Sequence, residues 1–123
     1  TLAYHGVSIM DFVSSIKHVT FSKPEVAMAE MLERRHLAPT WGGKTPLSPE
    51  LEDHMVIEEI PDIFVTGHVH GHHCGDYKGS TLIQSSTWQD QTGYMRMLGF
   101  QPKPCILTVV NLNTHKTASV PFA

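Results

Sequence analysis

Short apolar runs recur along the chain and predict several strands. Such runs lie at 2–4, 19–21, 55–57, 63–65 and 80–87. Each is bounded by glycine, proline or polar residues, as is typical of short buried strands. The segment 105–122 has apolar stretches on both sides of the turn-forming residues 111–115, which predicts a terminal β-hairpin.

Two helices are predicted between these strands. Ser8 is a candidate N-cap for a short helix through 12–16, because its hydroxyl can accept a hydrogen bond from a first-turn N–H. A longer helix follows Ser22, with Pro24 in its first turn and basic residues at 34–36 near its end. Its apolar residues recur at three- and four-residue steps and predict the face on the core: Met28, Met31 and Leu32.

A proline- and glycine-rich segment at 37–53 predicts a long irregular loop, and such loops in ordered domains tend to be functional or bound to a partner. Two helices among several short strands indicate an α/β fold, with α+β layering of the strands. The sequence has no internal repeat.

The composition of the chain bears on its partners and on its cellular compartment. Charged residues make up only 17% of the chain, which suggests that part of the surface is covered by a partner or by more of the same polypeptide. The formal net charge of −3 gives no global attraction to nucleic acid, so any such contact is local. Two cysteines that lie far apart and in no CxxC motif, no signal-peptide pattern and no apolar run of membrane-spanning length favour the cytoplasm.

The chain opens on "TLAYHG", which reads as the end of a core strand. A strand end has no partner of its own, so we expect residues 1–123 to be the C-terminal portion of a longer protein. The alternative is a native start from which Met has been removed.

The most unusual stretch is "TGHVHGHH" at 66–73. His68 and His70 follow a buried strand and Gly67, and residues two apart on extended backbone point to the same side. We therefore expect the two imidazoles to converge on one metal ion or on two neighbouring ions, with Val69 pointing into the core. A surface or capped-loop pair is the alternative reading.

His5 is the best third ligand, since it also follows an apolar segment and precedes a glycine. A buried, hydrogen-bonded core histidine is the alternative for His5. The carboxylates of the chain lie in turns and helices, so the sequence predicts only half of a dinuclear site. His72, His73 and Cys74 form a second, weaker metal-binding candidate in a glycine-bounded loop.

A His-Gly followed by GHxH after a strand resembles the closing motifs of calcineurin-like metallophosphoesterases. Within that superfamily, "RRHLAP", "PDIFVTGHVH" and "STWQDQT" resemble the C-terminal part of the small subunit of archaeal family D DNA polymerase. This resemblance covers roughly residues 2–92. It implies the C-terminal half of a phosphoesterase β-sandwich flanked by helices.

The resemblance also implies a two-metal 3′–5′ exonuclease that proofreads for a large catalytic polymerase subunit. His5 and His68 correspond to ligands of one divalent ion and His70 to a ligand of the other, with Mn, Zn, Fe and Ni all open. The family's Asp-x-His and Asn-His-Asp/Glu motifs do not occur in this chain. The implied partners are the large subunit, DNA and the N-terminal part of the small subunit, with no membrane.

Four further residues are candidates for contacts with DNA: Arg34, Arg35, Lys44 and Trp41. A solvated helix end is the alternative for the two arginines, and packing is the alternative for Trp41 and for Trp88. Two other functions stay open. The chain could belong to a non-catalytic scaffold subunit, or it could be a stand-alone metal module using His68, His70, His72, His73 and Cys74.

Overall fold

The computed structural model describes residues 1–122, in which six strands and three helices follow one another along the chain. In chain order they are β1 (Leu2–Tyr4), α1 (Ile9–Ser15), α2 (Pro24–Arg34), β2 (Ile63–Thr66), β3 (His73–Tyr77), β4 (Ser80–Gln84), α3 (Gly93–Met97), β5 (Ile106–Val110) and β6 (Thr117–Pro121). The mixed α/β class is confirmed, and the arrangement is consistent with part of a phosphoesterase-like domain.

Two sheets organise these strands. The larger has the order β1-β2-β4-β3, with β1, β2 and β4 parallel and β3 antiparallel at the edge. The smaller is the antiparallel pair β5-β6, which confirms the terminal hairpin. A bridge between Thr87 and Pro104, and the hydrogen bond from Cys105 N to Thr87 O, connect the hairpin to the segment after β4. The carboxyl ends of the three parallel strands therefore lie on the same side of the sheet. This side, which we call the common edge, carries the loops after β1, β2 and β4.

The core lies where α1 and α2 pack on the larger sheet. Phe64 in the centre of β2 is fully buried, and Ile9 and Phe12 of α1 pack in the same cluster. The predicted face of α2 is confirmed, because Met28, Met31 and Leu32 are all buried. Burying such side chains contributes roughly 1.5–3 kcal/mol each, so this cluster is the main source of stability for the sheet edge above it.

Of the two predicted helix caps, Ser8 lies at the N-cap position without the expected hydrogen bond, and Ser22 is wrong. Ser8 has helical backbone angles and makes no capping hydrogen bond, because its hydroxyl donates to Leu37 O at 2.5 Å instead. The helix begins at Ile9, as expected for an N-cap at Ser8. The residue before α2 is Lys23, not Ser22, and it makes no side-chain cap. Pro24 does occupy the first helical turn, as predicted.

Two predicted strands do not form. Residues 19–21 are irregular and lead into a turn, although Val19 is buried in the core. Residues 55–57 make only an isolated bridge, between His36 and Val56. The backbone of Arg35 and Leu37 takes the hydrogen bonds there, with Leu37 N donating to Met55 O and Ile57 N donating to Arg35 O. Ile57 is buried, so its apolar character reflects core packing and not strand pairing.

The segment 37–53 is irregular, as predicted, and a buried carboxylate fixes part of it. Asp11 on α1 accepts hydrogen bonds from Lys44 N at 2.5 Å, Thr45 N at 3.1 Å and Thr45 Oγ1 at 2.7 Å. Burial of Asp11 opposes its ionisation, but these hydrogen bonds outweigh the burial and lower the pKa of the carboxyl. Gly43 is needed here, since a Cβ at that position would lie 2.4 Å from Asp11 Oδ1.

Two elements were not predicted. β3 includes His73 and Cys74, which the sequence placed in a polar loop. Its connection to β4 is a two-residue turn in which Lys78 and Gly79 both have positive φ, the conformation that suits a tight hairpin. α3 is too short to show helical periodicity, and the Thr92 hydroxyl caps it by accepting from Met95 N at 3.2 Å.

No helix among the described residues is long and apolar enough to cross a membrane. Several large apolar side chains are nevertheless exposed, among them Trp41, Leu51, Trp88, Met97 and Leu112.

Candidate metal centre at the edge of the larger sheet

The loops that leave β1 and β2 meet at the common edge of the parallel strands. His5 and Gly6 follow β1, and Gly67 and His68 follow β2. Gly67 N donates to His5 O at 3.1 Å and ties the two loops together. Gly6 has a φ of 97°, and a Cβ there would lie 3.1 Å from Gly67 O. Glycine at position 6 therefore lets the two loops approach closely enough to bring His5 beside His68.

His5 and His68 face each other through ring nitrogens. His68 Nδ1 lies 3.0 Å from His5 Nε2, and the ring centroids are 4.8 Å apart in an edge-to-face arrangement. Two nitrogen ligands of one tetrahedral zinc ion lie roughly 3.3 Å apart. The pair therefore has a spacing that suits two ligands of one cation, as well as a single hydrogen bond between neutral imidazoles.

The other ring nitrogen of His68 contacts α1, since His68 Nε2 lies 3.4 Å from Met10 Sδ. Burial lowers the pKa of His68, and the nearby His5 and His70 lower it further because a second positive charge beside them is unfavourable. A lowered pKa keeps the imidazole neutral over a wider pH range, and neutral imidazole is the form that binds a metal.

The backbone of the HVH stretch differs from the predicted extended conformation. His68 and His70 have φ values of 65° and 53°, in the left-handed region that non-glycine residues seldom adopt. Val69 between them is buried in the core, as predicted. The two histidines thus flank a buried anchor in a strained turn, and backbone strain of this kind clusters at functional sites.

His70 has an unsatisfied polar atom. Among the described residues, its Nδ1 is the one buried side-chain nitrogen or oxygen without a hydrogen-bond partner. A buried polar group without a partner costs roughly 1–3 kcal/mol. A cation at this nitrogen would remove that cost, so His70 fits the role of a metal ligand.

A buried glutamine that sequence reasoning did not single out holds the loop after β2. Gln84 at the end of β4 is fully buried, and its Oε1 accepts from Thr66 Oγ1 at 2.8 Å. Its Nε2 donates to Gly67 O at 2.9 Å, directly before His68. The sequence feature that could have indicated its role is the glutamine at the end of the apolar run "TLIQ". A glutamine in such a place is costly to bury without hydrogen-bond partners.

A cavity of about 320 Å³ opens beside the two histidines of the HVH stretch. Its walls are mainly apolar and come from α1, α3 and the segments around them, including Met10, Phe21, Tyr94, Leu98 and Phe100. The site thus combines polar ring nitrogens with an apolar wall.

The remaining histidines of the stretch lie in different surroundings. The His72 ring faces the β5-β6 hairpin, with Nε2 3.1 Å from Thr108 Oγ1, while His73 Nδ1 lies 3.8 Å from Glu25 Oε2 on α2. In residues 1–122, three or more His, Cys, Asp or Glu side chains nowhere form a group that could hold a metal ion. His5, His68 and His70 therefore do not complete a centre by themselves, and the five residues of the stand-alone module do not form one group.

The four candidates for DNA contact lie at the end of α2 and on the loop that follows it. Arg34 pairs with Glu30 on α2, and Arg35 donates to Ile57 O at 2.7 Å and to Glu58 O. The Arg35 guanidinium is therefore engaged in holding the segment after residue 56. Trp41 is 84% exposed, and Lys44 is exposed on the loop that Asp11 anchors to α1. Contact of these residues with DNA stays a prediction.

Comparison with other proteins identifies the relatives of this chain. It is 48% identical over 111 residues to the "DNA polymerase II small subunit" of Thermoplasma acidophilum, covering 90% of this chain and 23% of that protein. The protein of the same name from Archaeoglobus fulgidus is 47% identical, over 84% of the chain and 21% of the relative. That of Pyrococcus furiosus is 43% identical, over 97% of the chain and 19% of the relative.

No family model matches the chain. The chain spans about a fifth of the length of the relatives it matches. The matched part includes most of the described fold. The resemblance drawn from "PDIFVTGHVH" and its companion motifs is confirmed, and the chain belongs to the family of archaeal DNA polymerase II small subunits.

Proposed function

We propose that this chain supplies the last metal ligands of a two-metal phosphodiesterase centre that removes nucleotides from the 3′ end of DNA and so proofreads for a DNA polymerase. The observation that carries the proposal is the approach of His5 Nε2 to His68 Nδ1 at the common edge of parallel strands. The partnerless Nδ1 of His70, two residues on, supports it.

In this proposal His5 and His68 hold one divalent cation and His70 holds its neighbour. Two such cations supply electrophilic activation of a phosphodiester and an activated water. The protein's contribution is to fix the ligands. Gln84 and Gly6 set the position of the two loops, Val69 anchors the turn, and burial of His68 keeps its imidazole neutral.

The proposal requires partners. The chain contains no Asp-x-His or Asn-His-Asp/Glu sequence, so the remaining ligands come from the rest of the small subunit. The large catalytic polymerase subunit and DNA are the other proposed partners. We expect the chain alone to be inactive as a nuclease for this reason.

Metal binding by the chain tests the ligand assignment. Calorimetric titration with Mn²⁺ is expected to give weak binding that His5→Ala, His68→Ala and His70→Ala each reduce by at least about tenfold. His54→Ala is the matched control, since His54 is exposed and its ring pairs with Glu50 on the surface. Equal binding by the His68→Ala and His54→Ala chains would remove the basis for the assignment.

Transfer of the segment tests the activity. The chain replaces the matching segment in the Thermoplasma acidophilum relative, and hydrolysis of 3′-labelled single-stranded DNA is measured with and without the large subunit. Parent and chimera are both expected to shorten DNA from the 3′ end, and His68→Ala is expected to abolish this while His54→Ala does not. A chimera and parent that assemble with the large subunit but never cleave DNA favour the scaffold alternative.

A further inference from the structure

A second group of metal-binding atoms lies away from the edge that carries His5 and His68. It joins the start of β3 to the β5-β6 hairpin and consists of His72, Cys74, Thr108 and Ser119, which we call the hairpin cluster. The hairpin cluster shares no residue with the proposed phosphodiesterase centre. The proposal below therefore stands or fails independently of the proposed function.

Strand geometry brings the four side chains together. His72 and Cys74 are two residues apart at the start of β3, so they point to the same side, while His73 between them points to α2. Thr108 and Ser119 are register partners on β5 and β6, and partners directly opposite each other carry their side chains on one face of the hairpin. Side chains at the start of β3, on β5 and on β6 thus bring possible metal ligands together at one point.

The spacing of the donors suits a single cation. Cys74 Sγ lies 3.8 Å from His72 Nε2, and a zinc ion bound by one sulfur and one nitrogen separates these atoms by roughly 3.5–3.8 Å. Thr108 Oγ1 lies 3.1 Å from His72 Nε2 and 3.6 Å from Cys74 Sγ, and Ser119 Oγ lies 3.4 Å and 4.0 Å from the same two atoms. These lengths are close to the edges of a distorted tetrahedron of ligands.

Hydrogen bonds alone do not account for the close approach of these four side chains. One ring nitrogen of a neutral histidine either accepts one good hydrogen bond or donates one, yet a thiol and two hydroxyls approach His72 Nε2. The thiol and the two hydroxyls therefore compete for one ring nitrogen, whereas a cation between the four groups could accept a lone pair from each.

We propose that the hairpin cluster binds one thiophilic metal ion of the zinc class through Cys74 Sγ and His72 Nε2, with the hydroxyls of Thr108 and Ser119 completing the shell. The bound ion would connect the edge strand of the larger sheet to the hairpin. Because two of the four ligands are hydroxyls, binding is expected to be weaker than at a structural zinc site with four Cys or His ligands.

Cadmium titration of the 123-residue chain in a thiol-free reductant tests the proposal, with the thiolate-to-metal absorption in the ultraviolet as readout. This band requires sulfur, so Cd²⁺ on His5 or His68 does not produce it. The expected result is one band that saturates at one Cd²⁺ per chain, and a rise in melting temperature with Zn²⁺. Absence of the band from the folded wild-type chain overturns the proposal.

Matched variants identify the ligands. Cys74→Ser is expected to abolish the band, whereas Cys105→Ser, which removes the other cysteine, is expected to keep it. His72→Gln is expected to weaken Cd²⁺ binding at least about tenfold, and the neighbouring His73→Gln is expected not to. Circular dichroism verifies that each variant is folded. If the band is lost in Cys105→Ser, or if His72→Gln binds as the wild type does, the assignment is wrong.

Discussion

The stretch "TGHVHGHH" holds two pairs of histidines with different surroundings. His68 and His70 lie in a strained turn above the ends of parallel strands and flank a buried valine. His72 and His73 lead into an edge strand and point to opposite sides, one to the hairpin and one to α2. Within one short stretch, the backbone conformation thus decides which histidines can share a ligand.

The two regions also differ in what fixes them. The loop of His68 is held by the buried amide of Gln84 and by a backbone bond to His5 O. The hairpin cluster is held by side-chain contacts among partly exposed residues. Since buried, fully bonded groups restrict a loop more than exposed contacts do, the first region is the more rigid.

Removal of a core side chain from the larger sheet, which supports both regions, is expected to have the largest effect. Phe64→Ala empties the centre of β2, and the cost for such a deletion is about 3–5 kcal/mol in the free energy of unfolding. Urea denaturation measures it, with Leu107→Ala as the control, because Leu107 is 43% exposed on the hairpin. A Phe64→Ala chain that loses less stability than the Leu107→Ala chain would show that the sheet is not the common support.

The next largest effect on stability is expected from a substitution on α1, the helix whose Met10 contacts His68. Asp11→Ala leaves the donors of Lys44 and Thr45 unpaired and is expected to cost about 2–3 kcal/mol. The carboxyl pKa is lower in the folded chain than its ordinary value of 3.8. Its contribution to stability is therefore present above pH 3.8 and is lost as the pH falls through the lower, folded pKa.

Urea denaturation of the wild type and the Asp11→Ala chain at several pH values measures this contribution. The difference between the two chains is expected to be constant near neutral pH and to shrink in acid, below the ordinary pKa of the carboxyl. Asp90→Ala, at an exposed position, provides the comparison and is expected to be nearly neutral. A difference that grows in acid would contradict the assigned role of Asp11.

A substitution at Gln84 is expected to weaken metal binding in the first region and to leave the hairpin cluster unaffected. Gln84→Leu keeps the volume but removes the hydrogen bond to Gly67 O, so Mn²⁺ binding is expected to weaken about 10–100-fold. Cd²⁺ binding at Cys74 is expected to be unchanged. Gln101→Leu, at an exposed position, controls for a general effect of the substitution. Equal losses of Mn²⁺ and Cd²⁺ binding would mean that the two regions are coupled.

The smallest effect is expected at Ser119. Ser119→Ala removes one exposed hydroxyl, so the free energy of unfolding is expected to change by less than about 0.5 kcal/mol. Cd²⁺ binding is expected to weaken, though by less than with His72→Gln, because Thr108 still supplies an oxygen. Titration of the thiolate band measures the change. Binding identical to that of the wild type would exclude Ser119 from the metal's shell.

Local sequence signals predicted the elements that are locally determined. The stripe of Met28, Met31 and Leu32 lies within α2, and the turn residues 111–115 join two consecutive strands of one hairpin. Pattern alone was therefore sufficient for both. The runs 55–57 and 19–21 were misread because burial against another element produces the same apolar pattern as strand pairing. β3 was missed because its residues are polar and its pairing depends on β4.

The residues of the candidate site were named from the sequence, but their arrangement was not predicted. His5, His68 and His70 were named from their position after apolar runs, and the structure brings His5 and His68 within 3.0 Å. The extended backbone expected for the HVH stretch was wrong, because the loop is shaped by Gln84 and Gly6, far away in sequence. Long-range contacts of this kind leave no periodic pattern in the sequence.

The sequence by itself determined the family, the α/β class and the residue types that can bind metal, because motifs and apolar periodicity are local properties of the chain. The tertiary structure alone decided which of those residues meet. It placed His5 beside His68 through parallel pairing of β1 and β2, and it turned His72 and Cys74 toward a hairpin more than 30 residues away. Pairing of distant strands sets these contacts, and no local pattern specifies it.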